Sequence, residues 1–230
     1  MMRMLRWVGI GLLLAATAGC IKVDQTLTLD RDGSGSLDIR YGMSEQTIAQ
    51  IKAMEQMSRN AGEGIKVEQE SPFEFDEATV RKEFEADKPQ GVELVSVSSE
   101  LVDGWKYIDL KLSFDDLDAL KKTEIFKNSK LRLKRDDEGN YTLVQKSAGG
   151  SDVNAGDAPM QEQMAAMFAG LRIVNTIVVP GEIIKTNATS VDGQRASWVF
   201  DIEQDPNVLA KLETTDLTVT FSGQDLDLAP

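Results

Sequence analysis

The chain has 230 residues, of which 38 are acidic and 25 basic, and its formal net charge is −13. An acidic body of this size disfavours nucleic acid and anionic lipid as general electrostatic partners, because their phosphates would repel it. Histidine is absent and cysteine occurs once, which excludes imidazole catalysis, histidine-ligated zinc and an internal disulfide.

The first nineteen residues have the order of a removable lipoprotein signal. Arg3 and Arg6 precede an uncharged apolar stretch, and Thr17, Ala18 and Gly19 are small residues directly before Cys20. The apolar run has about eleven residues, whereas a membrane-spanning helix needs about 20. We therefore predict cleavage between Gly19 and Cys20 and a diacylglyceryl group on the Cys20 thiol. An ordinary signal peptide that is cleaved elsewhere is the alternative.

Lipidation of Cys20 would make the membrane the main partner of this protein. The lipid would hold the chain on the extracytoplasmic side of a bacterial envelope, and stable attachment requires more than one acyl chain. Removing Arg3 and Arg6 with the signal changes the net charge from −13 to −15. In a host with two membranes, Ile21 stands where inner-membrane retention uses aspartate, which favours the outer membrane.

Residues 20–230 are expected to form one α+β domain, a mostly antiparallel sheet built from hairpins with amphipathic helices packed on one face. Alternating apolar residues predict strands over 21–29, 37–41, 92–98, 105–114, 131–134, 141–144, 174–179, 183–190, 195–202 and 217–221. Asp103-Gly104 and Asp192-Gly193 indicate tight turns, so we expect 92–98 to pair with 105–114 and 183–190 to pair with 195–202 as hairpins. Helical spacing predicts helices over 44–60, 76–86, 115–126, 160–171 and 206–213. Residues 147–159, rich in Gly, Ala, Ser and Asp, predict a mobile loop inside this domain.

The turn between the first two predicted strands overlaps a calcium-binding loop. Asp30, Asp32, Ser34 and Asp38 stand at positions one, three, five and nine of that loop. Position twelve is Tyr41, where a bidentate glutamate is needed, and the flanking segments are strands. We therefore favour a hairpin turn without metal, with calcium as the alternative, and no cofactor is expected.

Methionines mark two of the predicted helices as a candidate ligand-binding surface. Met54 and Met57 lie on one helix, and Met164 and Met167 lie on another. Methionine is flexible and polarisable and adapts to varied apolar ligands. If the two helices pack side by side, they could line a groove for an acyl chain or a partner segment. Ordinary core filling against the sheet is the favoured alternative.

Two regions resemble one family of bacterial lipoproteins. The first is the strand over 20–29 with Asp32-Gly33-Ser34-Gly35-Ser36. The second comprises Val178-Val179-Pro180-Gly181-Glu182-Ile183, Asn187, Asp192-Gly193 and Ala196-Ser197-Trp198-Val199-Phe200. These segments look like the LppM-like lipoprotein domain. The resemblance implies an extracytoplasmic α+β domain with no established enzyme chemistry and a role in envelope or lipid-related binding.

The leading hypothesis is a lipid-anchored, non-enzymatic envelope module that binds an apolar ligand or a protein partner. The alternative is a periplasmic or secreted hydrolase that uses carboxylates, which should show a deep pocket with converging, pKa-shifted acids. A binding module should instead show an apolar cleft or an exposed apolar patch. An inert spacer predicts neither feature.

Overall fold

The computed structural model describes residues 21–60, 75–127, 130–147, 170–205 and 207–228, without the side chains of 54–60. Several predictions fall outside these residues. They concern the signal with Gly19 and Cys20, nearly all of the loop at 147–159, and the helix at 160–171 up to residue 169.

Eleven strands and four helices lie in the described ranges. The strands are β1 Ile21–Leu29, β2 Gly35–Ser44, β3 Val92–Val102, β4 Trp105–Phe114, β5 Leu131–Arg135, β6 Tyr141–Gln145, β7 Arg172–Val178, β8 Ile183–Thr186, β9 Ser190–Asp192, β10 Arg195–Asp201 and β11 Leu217–Phe221. The helices are α1 Glu45–Asn60, α2 Glu77–Ala86, α3 Leu117–Leu120 and α4 Val208–Thr214.

The strands form two sheets. The large sheet has seven strands in the order β3-β4-β2-β1-β7-β10-β9, and the small sheet has four in the order β5-β6-β11-β8. All neighbouring strands are antiparallel except β1 and β7, which run parallel from Lys22 opposite Arg172 to Thr28 opposite Val178. β1 therefore lies in the interior of the large sheet.

One face of the large sheet, here called the inner face, is apolar. Leu27 lies opposite Leu37 on β2 and opposite Ile177 on β7, and Leu37 lies opposite Leu112 on β4. All four side chains are buried. Because successive strand residues point to opposite faces, the alternation in sequence places the polar residues between them on the other side, the outer face.

Two different structures cover the inner face. Toward the end of the sheet where β1 finishes, the small sheet packs on it and contributes Leu133, Leu143 and Phe221 to one shared core. Toward the end where β1 begins, the cover is helical. There Ile48 of α1 and Val80 of α2 pack on a second cluster, which consists of Met43, Phe75, Val97 and Ile108.

Two of the helices begin at capping residues that the sequence identifies. The Thr47 amide donates to Ser44 Oγ at 3.2 Å, and the Thr79 amide donates to Asp76 Oδ1 at 2.9 Å. Such side chains satisfy amides that have no partner within the first turn of a helix. The helices predicted over 44–60 and 76–86 therefore start at the caps of α1 and α2, which begin one residue later, at Glu45 and Glu77.

The predicted fold class is confirmed, since the sheets are mostly antiparallel and the helices pack on one face. The predicted helix at 115–126 is wrong in length, because only Leu117–Leu120 is helical. The Thr123 hydroxyl donates to the Leu120 carbonyl at 2.8 Å. A threonine side chain that bonds a nearby carbonyl competes with continuation of a helix. Turns follow as far as residue 127, and Phe126 is buried.

The predicted hairpin of 183–190 with 195–202 is also wrong in part. Its first strand divides at Asn187, so that β8 belongs to the small sheet and β9 to the large one. Gly181 lies earlier, where the chain passes from β7 of the large sheet to β8 of the small one, and it allows a close approach there because a Cβ would lie 2.1 Å from the Ser222 carbonyl oxygen. Only β9 and β10 form the expected hairpin, over Asp192-Gly193.

The Asn187 side chain joins the two sheets. Its Oδ1 accepts from Trp198 Nε1 of β10 at 3.1 Å and from the Thr218 amide of β11 at 3.0 Å. Its Nδ2 donates to the Asp216 carbonyl at 2.8 Å. Trp198 itself is buried, so the indole N–H depends on this partner.

Replacing Asn187 with alanine should destabilise the fold. Asn187→Ala removes three hydrogen bonds and leaves a buried indole N–H without its partner, and we expect a loss of about 1–2 kcal/mol. Urea denaturation of the mature protein measures this loss. Asn207→Ala is the control, because Asn207 precedes α4 without a side-chain capping bond. Equal midpoints for the two variants would contradict the bridging role of Asn187.

Candidate functional site

The end of the large sheet where β1 begins, here called the anchor end, is the candidate functional site. Ile21, the first residue of β1, directly follows Cys20 and lies opposite Met43. Met43 lies opposite Lys106 on β4, and Lys106 lies opposite Leu101 on β3. The turn of the β3–β4 hairpin therefore lies at the same end of the sheet as the start of β1.

The hairpin turn is a tight one formed by two residues in the left-handed region. Asp103 has φ 51° and Gly104 has φ 75°. Aspartate and glycine tolerate this conformation better than other residues, and a two-residue turn of this kind matches the twist of antiparallel strands. The Gly104 carbonyl accepts from the Glu45 amide at 2.9 Å, which ties the hairpin to the start of α1.

A stack of cations and aromatic rings lies on the outer face at the anchor end. Lys22 Nζ is 4.0 Å from the ring centroid of Trp105, and the Trp105 and Tyr107 rings stack with centroids 6.1 Å apart. Arg40 lies over the other ring, 4.3 Å from the Tyr107 centroid. Cations over aromatic faces are attracted by the ring quadrupole. The stack thus links β1, β2 and β4.

Arg40 also bonds two carboxylates. It donates to Asp109 Oδ2 at 2.6 Å and to Glu100 on β3. The hydrogen bond to Glu100 raises the pKa of the Arg40 guanidinium, and the bond to Asp109 adds to this effect. Partial burial acts in the opposite direction but is the weaker influence. Arginine is charged at any physiological pH, and through these two bonds Arg40 of β2 contacts both β3 and β4.

The glycine at position 42 makes room for the stack. A Cβ on Gly42 would lie 2.3 Å from Tyr107 Cδ1 and Cε1, so the phenol ring occupies the space that any other residue would fill. Gly42 lies directly opposite Tyr107 and also opposite Lys22. Any side chain at position 42 would force the Tyr107 ring away from Trp105 and Arg40.

The middle of the outer face holds a hollow of about 260 Å³ lined by paired charges. Lys111 Nζ is 3.0 Å from Asp38, and Arg172 Nη1 is 3.4 Å from Asp24. Each of these side chains is well exposed, so the ion pairs contribute little stability. The hollow is open to solvent, and most of its lining residues are charged or polar.

A second hollow, of about 180 Å³, lies where the two sheets meet α4. Phe200, Leu212 and Leu217 line it together with the polar Asn175 and Gln145. Gln145 Oε1 is buried and has no hydrogen-bond partner among the described residues. Sequence reasoning missed this hollow, because its lining comes from elements that are far apart in the chain.

The structure separates the residues of the calcium alternative. The Ser34 amide and hydroxyl bond Asp32 Oδ1 at 3.1 and 2.6 Å, which closes the turn on itself, and Gly33 has φ 90°. Asp38 lies on the outer face of β2 in its ion pair with Lys111. Within the described ranges no group of three acidic, cysteine or histidine residues could hold a metal ion.

The predicted methionine groove remains a prediction. Met54 and Met57 belong to α1, but their side chains are outside the described set, and Met164 and Met167 lie in residues that the structure does not describe. The described side chains of α1 that face the sheet, Ile48 and Ile51, pack on the second cluster. Cys20 and Gly19 likewise remain candidate processing residues.

Among the described residues, four carboxyls have shifted pKa values, and all four values are lowered. A hydrogen bond from the Ser34 hydroxyl lowers the pKa of Asp32, and the Thr79 amide lowers that of Asp76. Hydrogen bonds from Lys121 and Lys211 lower the pKa values of Asp118 and Asp205. A general acid requires the opposite shift, since it must hold its proton near neutral pH.

Gly42→Ala should destabilise the protein by displacing the Tyr107 ring. Overpacking of this kind costs about 1–3 kcal/mol. Urea denaturation measures the loss, and near-UV circular dichroism reports the disturbed Trp105–Tyr107 stack. Ser98→Ala, an exposed substitution on β3, which is separated from β2 by β4, is the control. A Gly42→Ala variant with the stability and near-UV spectrum of the control would contradict the packing.

Comparison with solved structures finds a likeness to a bacterial lipoprotein domain. The chain is similar to the folded domain of LppM from Mycobacterium tuberculosis, solved by NMR, with 13% sequence identity and a TM-score of 0.44. The match covers 89% of this chain and 91% of that one. LppM is also the protein whose family the sequence segments resemble. Searches against protein-family models and of curated proteins give no match.

Proposed function

We propose that this protein is a lipid-anchored extracytoplasmic lipoprotein whose domain serves as a non-enzymatic interaction module of a bacterial envelope. The observation that carries the proposal is the continuity of the signal with the fold. The basic, apolar and small segments end at Cys20, and β1 begins at the next residue. A thiol at this point of a secretory signal is the acceptor expected for a diacylglyceryl group.

The position of β1 supports an anchor at Cys20. β1 is an interior strand, bonded on both sides by β2 and β7. Consecutive Cα atoms are about 3.8 Å apart, so the lipid-bearing residue would be attached directly to the rigid centre of the sheet. In the part of the chain that the structure describes, no helix has the length and apolar character to cross a bilayer.

The chemistry of the outer face supports binding over carboxylate catalysis. Its carboxylates Asp24, Asp38 and Asp109 are each in an ion pair with a cation and border an open hollow. A hydrolase of the carboxylate type needs one acid kept protonated in a site that excludes water, next to a second that is ionised. The paired and solvated carboxylates of this face do not provide that contrast.

The two hollows are small, which supports an interaction at the surface of the domain over a ligand held in a deep pocket. Ligand pockets typically have volumes of about 300–1,000 Å³, and the hollows described above have about 260 and 180 Å³. We therefore favour a partner that contacts the exposed surface of the domain. An apolar ligand held by the methionine-bearing helices is the second form of this proposal, because methionine suits such ligands.

The proposed lipid on Cys20 determines where we expect the domain to be located. We propose that the domain lies on the extracytoplasmic side of the membrane and, in a host with two membranes, on the periplasmic side of the outer one. Support for the latter is Ile21, which follows the lipidated position in place of aspartate.

Labelling with palmitate tests the anchor. The full chain, produced in a bacterium that processes lipoproteins, should incorporate labelled palmitate, and Cys20→Ala should lose the label completely because it removes the only thiol. Thr17→Leu is the matched control, since it changes the same signal but keeps the acceptor, and it should label at least as well as the wild type.

Either of two results would contradict the proposal. One is a wild-type chain that reaches the envelope without label. The other is a Cys20→Ala variant that labels as strongly as the wild type.

A further inference from the structure

The β3–β4 hairpin exposes apolar side chains at the anchor end. Leu101 is 59% exposed and Val102 is 44% exposed, and they precede the Asp103-Gly104 turn. Farther along the same strands, the apolar residues Val97 and Ile108 are buried beneath α1 and α2. Within the described ranges, the tip of the hairpin therefore carries exposed apolar side chains, whereas the part of the hairpin nearer the second cluster is covered.

The hairpin tip lies close to the point where the anchor would enter the fold. The register runs straight across four strands from Ile21 through Met43 and Lys106 to Leu101. Three strand spacings separate the first and last of these, a distance of about 14 Å. A lipid on the residue before Ile21 would therefore bring the tip within reach of the same bilayer surface.

The side chains beside the tip suit the boundary between headgroups and acyl chains. Trp105 lies opposite Val102, and the Trp105 ring carries Lys22 on its face. Tryptophan and tyrosine concentrate at membrane interfaces, because the ring is apolar and its N–H or O–H is polar. Lysine side chains reach from such positions toward the phosphates.

The charges on the two sides of the anchor end indicate which side of the sheet tilts toward the membrane. The strand on the other side of the anchor end, β10, finishes at Asp201, and the chain continues through Glu203 to Asp205. Lys211 pairs with Asp205, which leaves Asp201 and Glu203 as the excess negative charge of this loop. Near the hairpin, Lys22 and Lys106 balance Glu45 and Asp103. The acidic loop is repelled by lipid phosphates and the hairpin is not, so the sheet should tilt onto its β3–β4 side.

We propose that the tip of the β3–β4 hairpin, with Leu101, Val102 and Trp105, inserts into the interface of the bilayer that holds the lipid anchor. The inference rests on the proposed anchor at Cys20. Two attachment points, the acyl chains and the hairpin, fix the orientation of the domain on the membrane and leave the outer face of the sheet accessible to a partner.

Quenching of tryptophan fluorescence by brominated lipid tests the proposal. The processed protein, purified from membranes, is reconstituted into phosphatidylcholine vesicles that contain brominated phosphatidylcholine. Processing removes Trp7, which leaves Trp105 and the buried Trp198. We expect the wild type to be quenched about twofold more than Trp105→Phe, which retains only the core indole.

A double variant and a matched control locate the contact. Leu101→Ser with Val102→Ser should reduce the quenching toward that of Trp105→Phe. Val191→Ser should leave it at the wild-type level, because Val191 is 50% exposed but lies on β9 toward the opposite end of the sheet. Melting temperatures of the variants verify that each is folded.

The outcomes separate this inference from the proposed function. If the wild type floats with the vesicles and is quenched no more than Trp105→Phe, the anchor stands and the hairpin contact is overturned. Wild-type quenching in the double serine variant, or a tip covered by a second copy of the chain, also overturns the contact. A wild type that carries no lipid and does not float overturns both.

Discussion

The single apolar face of the large sheet is the constraint on which the structure depends. Alternation in β1, β2 and β4 places Leu27, Leu37 and Leu112 side by side on that face. Burial of such side chains is the main favourable term in folding. The rest of the described chain covers this face, with the small sheet at one end and α1 and α2 at the other. The outer face stays polar, as is common for antiparallel sheets.

The place of β1 in that sheet connects the fold to the proposed function. A strand at the centre of a sheet is held by hydrogen bonds on both sides and cannot move independently. Because β1 starts directly after Cys20, an anchor there would hold the whole sheet against the membrane without a spacer. The tip of the β3–β4 hairpin and the Lys22–Trp105–Tyr107–Arg40 stack lie at the same end of the sheet as this proposed point of attachment.

Sequence reasoning predicted the features that local patterns encode. Alternation identified most strands and their faces, Asp103-Gly104 and Asp192-Gly193 identified turns, and Ser44 and Asp76 identified helix starts.

Features that depend on distant partners could not be predicted. They include the parallel pairing of β1 with β7, the division of the predicted 183–190 strand at Asn187, and the fit of Tyr107 over Gly42. Leu226 and Leu228, which follow the last strand, are buried although they belong to no predicted strand or helix. The same distinction between local and distant features applies to the candidate site. Cys20 belongs to a local sequence motif, whereas the position of the hairpin tip at the anchor end depends on the register between strands.

The intact mass of the mature protein, purified from membranes of its native host, tests the central claim most directly. The account predicts a polypeptide that begins at Cys20 and carries the added mass of a diacylglyceryl group with its acyl chains. An unmodified thiol at position 20, or a first residue beyond it, would contradict the account, because β1 would then have no membrane attachment at its start.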